Sequence, residues 1–190
     1  MDEITARAVL ENARNRFYVA GAAYGLLTSE ASKDMIVDYE FSLGESGFEV
    51  RPRGLPSIQG ISRTVHFNRS TAQDEAHSLL EAAFQKMISD STDAVKSFAK
   101  ERGEYDLIKK EPWFAFAQHL RNAFSHNGKW HFLPNAIFPA KLNRYVLERS
   151  MHGTPARGFI TYLHGTDLQA QMTFYVTGVT DYRQQHLPRP

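Results

Sequence analysis

Between Ile4 and Leu27, apolar side chains return every three or four positions, at Val9, Leu10, Ala13, Phe17, Ala20, Tyr24 and Leu27. That period holds them on one side of an α-helix and predicts a core-facing helix over residues 4–28. Gly21 and Gly25, one turn apart, predict a patch where another element packs closely. A second helical period, opened by Ser70 or Thr71 as an N-cap signal and closed by Gly103, predicts a helix over 70–101. A third starts at Pro112, whose missing N–H would be unpaired at a first helical position anyway, and stops at Asn127 and Gly128, predicting a helix over 112–127.

Other stretches read differently. Residues 33–68 mix short alternating runs with Gly, Pro and Ser, the pattern of a strand and loop insertion between the first two helices. After the third helix, "KWHFL", "RYVLERSM" and "RGFITYL" read as strands divided by turns. "TDLQAQMTFYVTG" fits two periods: Leu168, Met172, Tyr175 and Val179 have helical spacing, whereas its Thr, Phe, Tyr and Val content favours a strand. The expectation is an α+β fold, predominantly α, in a single domain, with a strand-rich region over about 130–178.

Around the third helix, steps of about 100° per residue place Trp113, Phe116, Ala117, Leu120 and Phe124 in one apolar stripe. Gln118, His119, Asn122 and His126 fall on the opposite side, with Arg121 on the flank. Surface helix backs usually carry Lys and Glu, but this one carries Gln, His, Arg, Asn, Ser and His with no acid. Such side chains bind phosphate oxygens and move protons: a histidine serves as acid or base, and a guanidinium stabilises charge developing on a phosphate.

Composition narrows the choices. Hydrophobic residues make up 42% and charged residues 23% of the 190, as in globular proteins, so an ordered core is expected. The absence of cysteine excludes disulfides, thiolate metal sites and cysteine nucleophiles. A net charge of +1 conceals an acidic first part, residues 1–108, and a basic second part that holds six of the eight histidines. This polarity suits a polyanion-binding face, and equally two parts that attract each other. The N-terminus lacks an apolar signal core, and the longest apolar run, Phe17 to Leu27, is about half the roughly 20 residues a membrane helix needs. A cytoplasmic protein with no membrane segment is expected.

The stretch "LRNAFSHNG", with arginine, asparagine and, four residues on, histidine at a helix end, resembles the signature of the HEPN superfamily. Arg157 and His164 meet the bare spacing too, but in a segment that reads as strand and turn. The resemblance implies a HEPN-like helical bundle that forms a homodimer, with two motif helices facing across a composite cleft. It implies a metal-independent endoribonuclease, with RNA as substrate and no cofactor, serving stress response or defence. Arg121, Asn122 and His126 take the motif roles, and the helix wheel adds His119, Ser125 and Lys129 as substrate-binding candidates. The alternative is a non-catalytic dimeric module on the same fold that binds a nucleotide, RNA or a regulatory protein partner.

Other chemistry finds little footing. His119, His126 and His131 lack the spacing of a metal-ligand set, the acids of the basic part are scattered, and no phosphate-loop or nucleophile-elbow glycine motif occurs. The aromatics from Trp130 onward either stack bases or fill a core. "QQHLPRP" at the C-terminus reads as a frayed tail.

Overall fold

Helical periodicity dominates the fold as it dominates the sequence. A computed structural model describes residues 1–30, 39–44, 47–52, 54, 63–65 and 69–178. The long helices are α1 (Glu3–Thr28), α2 (Arg69–Glu101), α4 (Pro112–Ser125) and α5 (Tyr162–Thr177), and a single turn, α3 (Tyr105–Ile108), precedes α4. Strands β1 (Tyr39–Gly44), β2 (Gly47–Pro52) and β3 (Arg63–Val65) lie between α1 and α2, and β4 (Ala140–Leu142) and β5 (Tyr145–Leu147) follow α4. The fold is α+β and mainly α. Among the described residues no helix is long and apolar enough to cross a membrane.

The chain divides into two compact units, Met1–Phe17 with Ala82–Pro190, and Tyr18–Glu81. In the smaller unit, β1 pairs antiparallel with both neighbours in the order β2-β1-β3, and the β1–β2 register runs from Tyr39 opposite Pro52 to Gly44 opposite Gly47. Among the described residues, nothing packs closely at Gly21 and Gly25, where a close-packing patch is expected. A methyl group at Gly21 would meet Leu80 at an ordinary 3.9 Å, and one at Gly25 would meet nothing within 4 Å. Helix α2 begins at Arg69, so Ser70 and Thr71 lie inside its first turn and neither is its cap.

The larger unit carries the main core. From α1 it takes Ala6, Leu10, Ala13 and Phe17, from α2 Phe84, Met87, Ile88, Val95 and Phe98, and from α4 Trp113, Phe114, Phe116 and Leu120. These positions hold the three-and-four spacing that turns one helix face inward. Ile4, which opens the α1 pattern, is 83% exposed and takes no part.

The strand-rich region expected over 130–178 is corrected to two three-residue strands and a helix of 16 residues, α5. Thr161 caps α5 by accepting the His164 N–H on its hydroxyl, and Gly178 ends it in the left-handed conformation at φ 64°. Leu168, Met172, Tyr175 and Val176 are buried, so helical spacing prevails over β-branched and aromatic composition. In "RGFITYL", Arg157 to Ile160 are turn and bend, and Tyr162 and Leu163 open α5. "KWHFL" contributes one isolated bridge, Lys129 to Pro155. The C-terminal stretch "QQHLPRP" and the loop portions of 33–68 lie outside the described residues.

One contact sets how closely α5 is seated. A methyl group at Gly165 would fall well inside contact distance of the Phe84 ring. That ring is locked among Phe17 at 5.7 Å, Tyr162 at 5.0 Å and Phe124 at 6.1 Å between centroids. Gln169 secures the same helix by donating from Nε2 to the Leu10 carbonyl at 3.1 Å.

Candidate functional site

Helix α4 carries the motif, and its two ends are built differently. Pro112 starts it, and its last turn breaks at His126, where φ is −117° and ψ is 52°. Asn127 and Gly128 follow with φ of 56° and 70°, a reversal that an asparagine and a glycine tolerate best. The Gly128 N–H returns to the Ala123 carbonyl at 2.9 Å, and the Gly128 carbonyl accepts the Ala156 N–H at 2.7 Å. These bonds fix the helix end on the 153–156 segment and leave His126 exposed.

His126 stacks on His131, with ring centroids 4.3 Å apart and planes inclined by 30°. His131 in turn lies 5.3 Å from His152. Neither His126 nor His131 hydrogen-bonds a described residue through its ring, so two adjacent imidazoles keep their nitrogens for solvent or ligand. His152 is committed, because its Nδ1 accepts the Phe132 N–H at 3.1 Å.

Arg121 and Asn122 serve a different surface. Both line a groove of about 450 Å³ with Asp93, Lys96, Tyr105, Lys109 and Gln118 among its other walls. Arg121 donates to Asp93 Oδ2 at 3.2 Å and to Asn122 Oδ1 at 3.4 Å. With both partners of the Asp93 pair more than a third exposed, that ion pair contributes only about 0–1 kcal/mol and yields readily to a stronger anion. The groove lining contains Arg121, Asn122 and His119, while His126 sits with the other histidines.

Of the substrate-binding candidates, Ser125 is exposed and donates back to the Arg121 carbonyl at 3.2 Å, and Lys129 is exposed just past the turn. His119 departs from its expected place on a solvent-facing back, being only 7% exposed. The segment after α4 folds over that back, stacking Phe138 on the His119 ring at 5.2 Å and setting Phe132 at its edge. Its Nε2 bonds the Ile137 carbonyl at 3.2 Å, and its Nδ1 has no partner among the described residues. The segment is clamped by Arg149, which donates to the Leu133, Pro134 and Ala136 carbonyls and covers the Phe138 ring. The later aromatics divide: Trp130, Phe132 and Tyr175 are buried, whereas Phe174 is 47% exposed.

Burial holds the His119 pKa below its ordinary value, helped by the Arg149 charge and opposed by the bond to Ile137. Below about pH 6.5 the unfolded chain binds a proton here that the folded chain refuses. Stability from this group is therefore complete above that pH and is lost as pH falls toward the lowered folded value. Urea unfolding at pH 7.5 and 5.5 will show a smaller decline for His119→Phe than for the natural chain; equal declines would remove His119 as a source.

His152, Lys96, Lys109 and Asp93 escaped the sequence reading, and His131 enters it only in a metal-ligand set that its spacing rules out. Each lies far along the chain from, or off the helix of, the motif, and only the fold brings them beside it. The decoy histidine, His164, sits in the first turn of α5, bonded to Thr161 Oγ1 at 2.6 Å and Tyr145 Oη at 3.2 Å. Comparison with known protein families, with curated proteins and with solved structures returns no match.

Proposed function

We propose that the protein is a metal-independent endoribonuclease of HEPN type, acting through the C-terminal end of α4. The observation that carries this reading is the stacked pair of the exposed His126 and the half-buried His131, with both rings unbonded to described residues. Cleavage by a neighbouring ribose hydroxyl needs one proton removed and one supplied, and two such imidazoles match that demand. A neutral imidazole takes the 2′-hydroxyl proton as O2′ attacks phosphorus in line. The P–O5′ bond breaks, and an imidazolium protonates the departing O5′. The products are a 2′,3′-cyclic phosphate and a 5′-hydroxyl.

Arg121, five residues before His126 and facing the groove, supplies a guanidinium for phosphate oxygens of the bound strand, and Asn122 orients it through the bond at 3.4 Å. Lys129 and Ser125 flank the exposed histidine and suit the strand's neighbouring phosphates. A homodimer with facing α4 ends, as the resemblance implies, would double this set without being needed for a second imidazole.

Incubation of the purified protein with RNA in EDTA tests the reading. The expected outcome is cleavage leaving cyclic phosphate and 5′-hydroxyl ends, with a DNA strand of the same sequence intact. Absence of cleavage, or cutting of both strands, would overturn it. A second reading, a non-catalytic binding module, is favoured by one feature: Arg121 and Asn122 line the groove, whereas His126 does not. Binding of RNA without cleavage would select it.

A further inference from the structure

Residues 128–132, just past the motif helix, run antiparallel to residues 152–156, with Lys129 bridged to Pro155. The Gly128 carbonyl accepts the Ala156 N–H at 2.7 Å, the Trp130 N–H donates to the Thr154 carbonyl at 2.9 Å, and the Trp130 carbonyl accepts the Gly153 N–H at 2.8 Å. A fourth bond continues the series, from the Phe132 N–H to His152 Nδ1 at 3.1 Å. It alone of the four ends on a ring nitrogen. The chain places that ring by a local device. Arg149–Met151 form a 3₁₀ turn, the His152 N–H closes it on the Arg149 carbonyl at 3.2 Å, and Gly153, at a φ of 83° that glycine adopts most readily, sends the chain along its partner.

His131 sits between two anchored neighbours. Burial alternates along the segment, as it does where a chain runs extended: Trp130 and Phe132 are buried, and His131 between them is half-buried. The His131 ring has two imidazole neighbours, His126 at 4.3 Å and His152 at 5.3 Å between centroids. His152 therefore meets this segment twice, at the His131 ring and at the main chain one residue on. An imidazole nitrogen that accepts an N–H carries no proton, so the neutral His152 ring holds its proton on Nε2. Its Nδ1 is occupied by the main chain, and what it supplies is geometry. That geometry matters to cleavage, because a misplacement of about 1 Å can cost about 100-fold in rate. His131 makes no ring hydrogen bond to a described residue, so its neighbours, not a bonded partner, set its place.

We propose that His152 is a positioning residue of the cleavage face: by holding the Phe132 N–H on Nδ1, it seats the His131 ring against His126. The catalytic consequence rests on the cleavage reading, whereas the seating rests on the bonds and ring contacts alone.

Three variants of the full chain, His152→Ala, His152→Asn and His152→Gln, test both parts. Alanine removes the acceptor. Asparagine keeps an acceptor oxygen as many bonds from the main chain as Nδ1, and glutamine keeps the bulk but sets its oxygen one bond further out. Seating is read without RNA, from nuclear Overhauser contacts between the His126 and His131 ring protons. The natural chain and His152→Asn should show these contacts, and His152→Ala and His152→Gln should lose them. Because His152 is exposed, all three variants should keep an unfolding midpoint close to the natural one. A long-range nitrogen–proton spectrum of the natural chain at about pH 8.5 should show the His152 proton on Nε2. Single-turnover cleavage should fall about 10–100-fold in His152→Ala and His152→Gln, with affinity for an uncleavable 2′-O-methyl strand unchanged. His152→Asn should restore most of the loss, which a proton-transferring role for His152 would not allow.

Ring contacts that survive in His152→Ala, a cleavage rate there equal to the natural one, or a His152→Asn as impaired as His152→Ala would each overturn the proposal, as would a proton on Nδ1. A natural chain that cuts no RNA would overturn the catalytic role together with the cleavage reading, and the ring contacts would still decide the seating. Intact cleavage in the natural chain with contacts indifferent to His152→Ala would overturn the seating and leave the cleavage reading standing.

Discussion

Gly165→Ala will destabilise the protein by about 3 kcal/mol, the upper part of the range for overpacking a filled core. The added methyl meets the Phe84 ring, and that ring has no room to retreat, being packed by Phe17, Tyr162 and Phe124. The helix must therefore move away from α2 or the ring must leave its rotamer, and either loosens the packing around it. Urea denaturation of Gly165→Ala, Phe84→Leu and the double variant isolates the cause. Because leucine is shorter, the double variant should be more stable than the two losses predict together, by about 0.5–3 kcal/mol. Strict additivity would show that the contact is not the source.

His126→Ala will lower RNA cleavage about 10²–10⁴-fold, the usual contribution of a positioned acid or base, with an unfolding midpoint close to that of the natural chain. The two expectations belong together. The imidazole is exposed and bonds no described residue, so its removal costs the fold little more than its stacking on His131. His131→Ala should cause a comparable loss, and the pH–rate profile of either variant should lose one of its two limbs. Arg121→Ala should cost about 10²–10³-fold, as expected for a lost electrostatic contact to a developing charge. Single-turnover assays in EDTA measure all three. Undiminished cleavage in His126→Ala would remove it from the chemistry.

How far the sequence foretold these features depends on the range over which each is determined. Helix α4 was legible because its signals are local: Pro112 at the start, Asn127 and Gly128 at the stop, and an apolar stripe between. Helix α1 was legible for the same reason, although its two glycines meet no close neighbour among the described residues, since a glycine pair is consistent with a close approach without requiring one. The true close approach, Gly165 on Phe84, lay in a segment whose β-branched and aromatic residues suggested a strand. Its helix is decided by burial of Leu168, Met172 and Tyr175 against the rest of the core, information that no short window contains.

The candidate site followed the same division. Arg121, Asn122 and His126 could be named from a single helix, but the surface each one serves could not. A helical wheel assigns a direction to His119 without knowing that residues 132–138 will cover it. Likewise, the pairing of His126 with His131 depends on a turn whose direction is fixed by bonds to residues 153–156.

The loop from Leu133 to Ala136 is held chiefly through its carbonyls, three of which accept from the one guanidinium of Arg149. Carbonyls belong to every amino acid, so the loop's shape makes little demand on which side chains occupy it. Leu133 and Asn135, both exposed and both at the groove, are thereby released to vary. A lineage could exchange them, and with them the lining of the groove, while the fold beneath stays as it is. Arg149, distant from the groove in sequence and absent from its lining, would be the residue that makes such change inexpensive.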